Sequence, residues 1–151
     1  MSNYIDVLLT QDENQIFDFE WDDNGDFLMT EGLETAIQMS VLCEKRADES
    51  EVTRPEFRRG DWSNELNLVV DYEVGSKLWL LDQARTIEEA INTGINAIED
   101  GLQWMIDDLL IKDVEASGVL TERGIIFSVS IIKEDNSVDT YYYGPFSATG
   151  E

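Results

Sequence analysis

The chain has 151 residues, the size of one domain, and its 42 % hydrophobic content is enough to bury a core despite a formal charge of −23. Histidine is absent and Cys43 is the only cysteine, which excludes Ser-His and Cys-His catalysis, the commonest zinc ligand and an internal disulfide. No apolar run approaches the ~18 residues of a membrane span, we expect no signal peptide, and the strong negative charge disfavours nucleic-acid partners.

Acidic residues are concentrated at the two ends of the sequence. Residues 1–44 carry 11 acidic and no basic side chains, and residues 86–151 carry 13 acidic and three basic ones. The middle segment, residues 45–85, is nearly neutral, with nine acidic and seven basic side chains. Its arginines therefore either balance charge within the chain or face a partner.

The N-terminal part predicts a hairpin and a helix after a loose end at residues 1–14. Residues 16–21 alternate apolar and acidic side chains, and Asn24-Gly25 supplies a turn before residues 27–29 return. Apolar side chains at helical spacing then predict a helix over residues 33–46, with Leu33, Ile37 and Val41 inward.

The middle of the chain predicts an irregular segment and two short elements. Residues 47–67 are polar and hold several arginines, and loops of this length are often functional. Alternation over residues 66–74 predicts a half-buried strand. Residues 77–81 predict a short helix with Ser76 as its N-cap.

A long amphipathic helix follows, beginning with the capping box at Thr86 and Glu89. One face carries apolar residues at helical spacing: Ile87, Ile91, Ile95, Ile98, Leu102, Met105 and Leu109. Beside it runs a strip of small residues that includes Gly94 and Gly101. A mid-helix glycine costs ~1 kcal/mol relative to alanine, so another element is expected to pack closely there, within the chain rather than from another chain.

The C-terminal third predicts an antiparallel meander. Residues 112–116 are followed by strict alternation over residues 125–131, a turn at residues 135–137, and a strand over residues 138–143. Pro145 is expected to end the sheet and leave residues 145–151 loose. The predicted fold is one α+β domain over residues 1–151, with an N-terminal hairpin and a long amphipathic helix packed on a small antiparallel C-terminal sheet.

One local pattern resembles a calcium loop. Glu20, Asp22, Asn24 and Glu31 match ligand positions of the twelve-residue EF-hand loop, and Gly25 matches its turn glycine. Glutamate fits the first ligand position poorly, and the preceding residues alternate like a strand rather than an entering helix. An acidic Asn-Gly turn is therefore the alternative interpretation.

The sequence predicts neither an enzyme nor a cofactor site. Carboxylates are numerous, and pairs such as Asp107-Asp108 fall on the expected wet side of the long helix. Catalytic acids need surroundings that move their pKa values apart, and no such surroundings are indicated. A glycosidase that uses two catalytic carboxylates stays an alternative, but the sequence does not indicate which two carboxylates would act. No P-loop or dinucleotide-binding glycine pattern is present.

Two groups of residues are candidates for a partner interface. Arg58, Arg59 and Trp62 are of the types enriched at interface hot spots, although the arginines are equally suited to pair internally with Glu51, Glu56 or Asp61. A second group is the row of three tyrosines in the last predicted strand. On an edge strand such a row favours pairing with a strand of another chain. Its members are Tyr141, Tyr142 and Tyr143.

The order of these landmarks resembles the Mu-type phage baseplate protein family, which is related to the sheath-initiating baseplate wedge proteins of contractile tails. The resemblance spans about residues 15–143 and rests on an acidic hairpin, four short strings and a C-terminal meander. The strings are Gly32-Leu33-Glu34-Thr35-Ala36-Ile37, Arg58-Arg59-Gly60-Asp61-Trp62 and Gly75-Ser76-Lys77-Leu78-Trp79-Leu80-Leu81, followed by Leu102-Gln103-Trp104-Met105-Ile106-Asp107-Asp108.

The resemblance implies a structural role without turnover or cofactor. Such a protein is expected in the tail baseplate of the virion, assembled in the host cytoplasm, where it joins the wedge to the tail tube or first sheath ring and initiates the sheath. The expected partners are a larger wedge subunit, the tail sheath protein, and tail tube or hub proteins, with no nucleic acid or membrane. We expect Arg58, Arg59 and Trp62 to contact the wedge and residues 138–143 to lie near the sheath-facing edge.

Overall fold

The structure is a computed structural model that describes residues 5–14, 16–30, 32–60 and 73–147. Its strands and helices, in chain order, are β1 (Asp6–Val7), β2 (Leu9–Gln11), β3 (Phe17–Phe19), β4 (Met29–Thr30), α1 (Glu34–Leu42), α2 (Ile87–Asp107), β5 (Asp113–Thr121), β6 (Gly124–Ile132) and β7 (Val138–Phe146). Short 3-10 helices span Glu49–Glu51 and Leu78–Gln83. The predicted α+β architecture is confirmed, because α2 packs on a three-stranded antiparallel sheet of order β5-β6-β7.

The central strand β6 supplies the sheet's share of the core. Ile125, Phe127, Val129 and Ile131 are all fully buried, as their strict alternation predicts. The strand β7 runs past Pro145 to Phe146, whose ring lies 5.8 Å from the ring of Phe127. Residues 145 and 146 therefore belong to the sheet, and the bulge in the pairing with β6 accommodates them.

Helix α2 begins as predicted, but its apolar face is exposed at Ile87, partly buried at Ile91 and Ile95, and fully buried only in the second half of the helix. The Thr86 side chain accepts a hydrogen bond from the Glu89 backbone N–H at 3.1 Å. Ile98, Leu102 and Met105 are fully buried. The spacing of apolar residues predicts that the apolar face of α2 reaches Leu109, but it does not, because the helix ends at Asp107. Leu109 lies beyond the helix with a φ of 59°, and its side chain is 79 % exposed.

The glycine strip on α2 packs inside the chain, as expected. A Cβ atom on Gly94 would lie 2.1 Å from the Phe127 ring. A Cβ on Gly101 would lie 2.8 Å from the Ser40 carbonyl oxygen and from the Ser76 Cβ. The two glycines therefore let α2 approach the sheet on one side, and α1 and residue 76 on the other.

Helix α1 buries Ile37 and Val41 as predicted but ends at Leu42, four residues early. The chain after it turns into a parallel bridge with Ser76, whose N–H donates to the Cys43 carbonyl while the Lys45 N–H donates to the Ser76 carbonyl, each at 2.9 Å. The predicted capping bond of Ser76 is present, because its hydroxyl oxygen accepts from the Leu78 backbone N–H at 3.3 Å. The 3-10 helix starts one residue later than predicted, so Lys77 rather than Ser76 is the residue next to it. The Ser76 hydroxyl also donates to the Val41 carbonyl at 2.6 Å.

The N-terminal residues are more ordered than expected. The predicted hairpin is present, with an antiparallel bridge between Trp21 and Phe27, but residues 6–11 also form strands, β1 pairing with β4 and β2 with β3. Thr35 secures them, since its hydroxyl donates to the Val7 carbonyl and accepts from the Leu9 N–H. Strands of two and three residues are too short to produce a recognisable period.

The strand predicted at residues 66–74 lies outside the described residues, apart from Glu73 and Val74, which are in neither helix nor strand. Among the described helices, none combines the length and the hydropathy that crossing a bilayer requires.

Replacing Gly94 with alanine tests the close approach of α2 to the sheet. Alanine normally adds about 1 kcal/mol of helix stability, but here its methyl group would overlap the buried Phe127 ring. We expect Gly94→Ala to lower the free energy of unfolding by about 1 kcal/mol or more, measured by urea denaturation. The exposed Asn92→Ala variant in the same helix is the control and should be neutral or stabilising. A Gly94→Ala variant as stable as the wild type would contradict the packing described.

Candidate functional site

The β7 strand forms one edge of the sheet, and part of that edge is closed by a side chain. The Gln11 amide nitrogen donates to the Tyr142 carbonyl at 2.5 Å, and the Tyr142 N–H donates to the Gln11 amide oxygen at 3.4 Å. The amide thus takes the place of a neighbouring strand. Because the direction of backbone N–H and C=O groups repeats every two residues in a strand, the Thr140 N–H and C=O point to the same outer side of β7 as those of Tyr142.

The three tyrosines of β7 have different environments. Tyr143 is fully buried, its ring stacks on Phe17 at 5.5 Å, and its hydroxyl donates to the Gln38 amide oxygen at 2.6 Å. Tyr142 points to the opposite face of the sheet and is exposed. Tyr143 is therefore a core residue, whereas Tyr142 is available to a partner.

Tyr141 lines a cleft of about 400 Å³ between the start of α1 and the sheet. Burial raises the pKa of its hydroxyl to about 12, with further contributions from the negative charges of Asp139 and Glu34. At the same cleft, the Lys133 ammonium lies 2.5 Å from the Asp139 carboxylate, and that hydrogen bond raises the pKa of Lys133.

Arg59 lies at the centre of a network on another part of the surface. Its guanidinium contacts the Glu44 carboxylate at 2.7 Å and the Asp82 carboxylate at 3.3 Å, and lies 5.0 Å above the ring of Trp79. The side chain remains 42 % exposed. We call Arg59, Trp79, Glu44 and Asp82 the Arg59 network.

Arg58 is held by a different set of contacts. Its Nε donates to the Ala47 carbonyl at 2.6 Å, and its guanidinium lies 3.9 Å from the exposed Glu49 carboxylate. The described ion pairs of both arginines therefore differ from those considered from the sequence. Trp62 lies outside the described residues, so its position relative to the arginines stays a prediction.

Sequence reasoning overlooked Trp79 as a partner of Arg59. The Trp79 indole N–H donates to the Lys45 carbonyl at 2.9 Å, which holds the ring next to the segment after α1. Gly75 lies in the same junction, where a Cβ atom would be 2.6 Å from the Cys43 carbonyl oxygen. Trp79 belongs to the string Gly75 to Leu81 on which the family resemblance partly rests. An arginine-rich segment followed by a tryptophan in the next short helix is the sequence signal that could have indicated the contact between Arg59 and Trp79.

The acidic hairpin loop is organised by its own backbone. The Asp22 carboxylate accepts from the backbone N–H groups of Asn24 at 2.8 Å and Asp26 at 3.0 Å, and these bonds lower its pKa. The Glu20 carboxylate accepts from the Thr10 hydroxyl at 2.8 Å. Glu31 lies outside the described residues, and among those described no group of three or more His, Cys, Asp or Glu side chains is arranged to hold a metal ion. Calcium binding here stays a prediction.

Comparisons with known proteins point to one phage family. The sequence model of the family described as phage protein GP46 matches residues 33–138. The Mu-like prophage FluMu protein gp46 of Haemophilus influenzae is 25 % identical over 113 residues, which are 74 % of this chain and 76 % of that protein. Baseplate protein gp46 of Escherichia phage Mu is 24 % identical over 125 residues, 80 % of this chain and 83 % of that protein.

The buried tyrosines predict a loss of stability at alkaline pH. Burial raises the pKa of both Tyr141 and Tyr143 above the ordinary value of 10.0, so the folded chain holds these protons more tightly than the unfolded chain. The stability that these protonated hydroxyls contribute is complete below pH 10. It is lost as the pH rises towards their pKa values in the folded chain, about 12 for Tyr141. In urea denaturation from pH 9 to 12, Tyr141→Phe should lose less stability than the wild type. Identical pH profiles would contradict the assignment.

Proposed function

The chain belongs to the phage protein GP46 family, and we propose on that basis that it is a structural component of a Mu-type phage tail baseplate and so of the virion tail. The observation that carries the proposal is the match to the Mu baseplate protein along most of both chains. The family match extends from Leu33 to the first residue of β7, so it includes α1, α2, β5 and β6.

The finer role we propose is to join the wedge to the tail tube or first sheath ring and to initiate sheath assembly. The β7 edge supports it, because an exposed edge strand can be extended by a strand of another chain through backbone hydrogen bonds. The open part is residues 138–140, where Val138 is exposed and Thr140 directs its backbone outward. Gln11 keeps the neighbouring position, Tyr142, closed in the free chain.

The Arg59 network is the surface we propose for the larger wedge subunit, together with Arg58 and Trp62. An arginine that is held over an aromatic ring and still partly exposed presents fixed donors to a partner. Exposed ion pairs contribute only about 0–1 kcal/mol to folding, so these contacts can be exchanged for contacts with a partner at small cost. Such a role involves no turnover or cofactor, and assembly takes place in the host cytoplasm.

Purification of the chain from cells that produce complete tails tests the proposed function. We expect an affinity-tagged chain to co-purify with a tail sheath subunit, a larger wedge protein, and tail tube or hub proteins, identified by mass spectrometry. An untagged strain and a tagged cytoplasmic protein are the controls. Recovery of the chain alone, at wild-type expression and low salt, would contradict a baseplate role.

Substitution of the arginine-tryptophan surface tests the proposed wedge contact. We expect the Arg59→Ala/Trp62→Ala double variant to lose wedge assembly, measured as tails formed in a strain without the wild-type chain. The isolated variant should remain folded, because the Arg59 ion pairs are exposed and their loss costs about 1 kcal/mol, or a few degrees in Tm. Arg123→Ala, at an exposed turn between β5 and β6, is the matched control. Normal assembly of the folded double variant would overturn the assignment.

A further inference from the structure

The N-terminal hairpin presents a cluster of aromatic rings to solvent. Trp21 is 63 % exposed, and Phe19 and Phe27 are each 43 % exposed. The rings touch one another: Trp21 stacks on Phe27 at 4.2 Å, and Phe19 meets Phe27 edge-on at 5.6 Å. We call these three residues the aromatic patch.

The aromatic patch does not contribute to the core of the described chain. The residues packed against that core include Phe17 at the start of β3, but none of the three patch residues. Phenylalanine and tryptophan side chains each bury roughly 150–250 Å² when covered, and exposed clusters of this kind mark interaction sites. Tryptophan is also among the residue types that dominate binding energy at interfaces.

The rings are held in place before any partner binds. The hairpin turn is closed by a hydrogen bond from the Asp22 backbone N–H to the Asp26 carbonyl at 2.8 Å. The Asp22 carboxylate adds two more, which it accepts from the backbone N–H groups of Asn24 and Asp26. Across the hairpin, the Leu28 N–H donates to the Glu20 carbonyl at 2.8 Å. A preformed surface loses little conformational entropy on binding.

Charge around the patch selects the partner. Residues 16–30 carry five acidic side chains and no basic one. A second copy of the chain would bring the same acids against the patch, which disfavours self-association. We propose that the aromatic patch docks into an apolar pocket rimmed by lysine and arginine on a neighbouring protein of the same particle. The inference rests on the proposed function, which identifies the particle as a phage tail. The aromatic patch itself lies before residue 33, where the match to the family model begins.

Photo-crosslinking in assembled tails tests the inference. The cross-linking amino acid p-benzoylphenylalanine replaces Trp21 or Phe27 in turn, purified tails are irradiated, and the joined peptides are identified by mass spectrometry. We expect both positions to join one peptide region of a different protein that contains lysine or arginine. The same probe at Glu122, an exposed position in the β5–β6 turn, should not join that region.

The other outcomes separate this inference from the proposed function. If the chain is present in tails but neither position is cross-linked, or both join a second copy or a region without basic residues, the docking inference is overturned and the baseplate role stands. If the chain is absent from purified tails, both are overturned.

A variant with a matched control measures the strength of the contact. We expect Trp21→Ser/Phe27→Ser to lower the amount of chain per tail by about tenfold or more, because aromatic residues at the centre of an interface supply much of its binding energy. Leu109→Ser removes an apolar side chain elsewhere that is 79 % exposed, and it should leave incorporation unchanged. Thermal melting of the isolated variants shows whether both remain folded. Equal incorporation of the folded double variant and the control would overturn the inference.

Neutralising the rim of the patch tests the charge argument separately. Asp23→Asn/Asp26→Asn keeps the rings and the Asp22 bonds that order the turn. We expect this variant to be released from tails at a lower salt concentration than the wild type, because electrostatic attraction to the basic rim is weakened. Release at the same salt concentration would show that the partner surface is not basic.

Discussion

The close approach of α2 to its neighbours at Gly94 and Gly101 is the constraint on which the rest of the structure depends. At Gly94 the space of a side chain is occupied by Phe127, which fixes β6 against the helix. At Gly101 it is occupied by the backbone of α1 and by Ser76. The first contact positions the sheet with its β7 edge, and the second positions the junction that carries the Arg59 network. Close packing of this kind allows little rearrangement of either side.

The surfaces attached to this core differ in chemistry. The β7 edge offers backbone hydrogen bonds, the Arg59 network offers a fixed guanidinium beside an aromatic ring, and the hairpin offers apolar rings among acids. An excess of negative charge over the whole chain opposes contacts between copies while favouring basic neighbours. A rigid core with several distinct contact surfaces suits the proposed role of a component that is built in among different neighbours.

How much could be predicted from the sequence depended on the range of the interactions involved. The cap at Thr86, the alternation over residues 125–131 and the glycine strip are local patterns, and each predicted its element or contact correctly. Contacts between distant positions leave no such pattern. The Gln11 amide meets Tyr142 across 131 residues, and Arg59 pairs with Glu44 and Asp82, which are 15 and 23 residues away in the sequence. The row of three tyrosines predicts a partner interface, but the burial of Tyr143 depends on Phe17 and Gln38, which the fold brings to it.

Hydrogen–deuterium exchange tests the central claim most directly, namely that this chain is an assembly component whose β7 edge is completed by another protein. The backbone amides of Val138 and Thr140, which face outward from the edge, are compared between the isolated chain and the same chain in purified tails, with the amides of α2 as an internal reference. The account predicts strong additional protection of these two amides in tails and little change in α2, which is already hydrogen-bonded. Equal exchange of the two amides in the two states would contradict it.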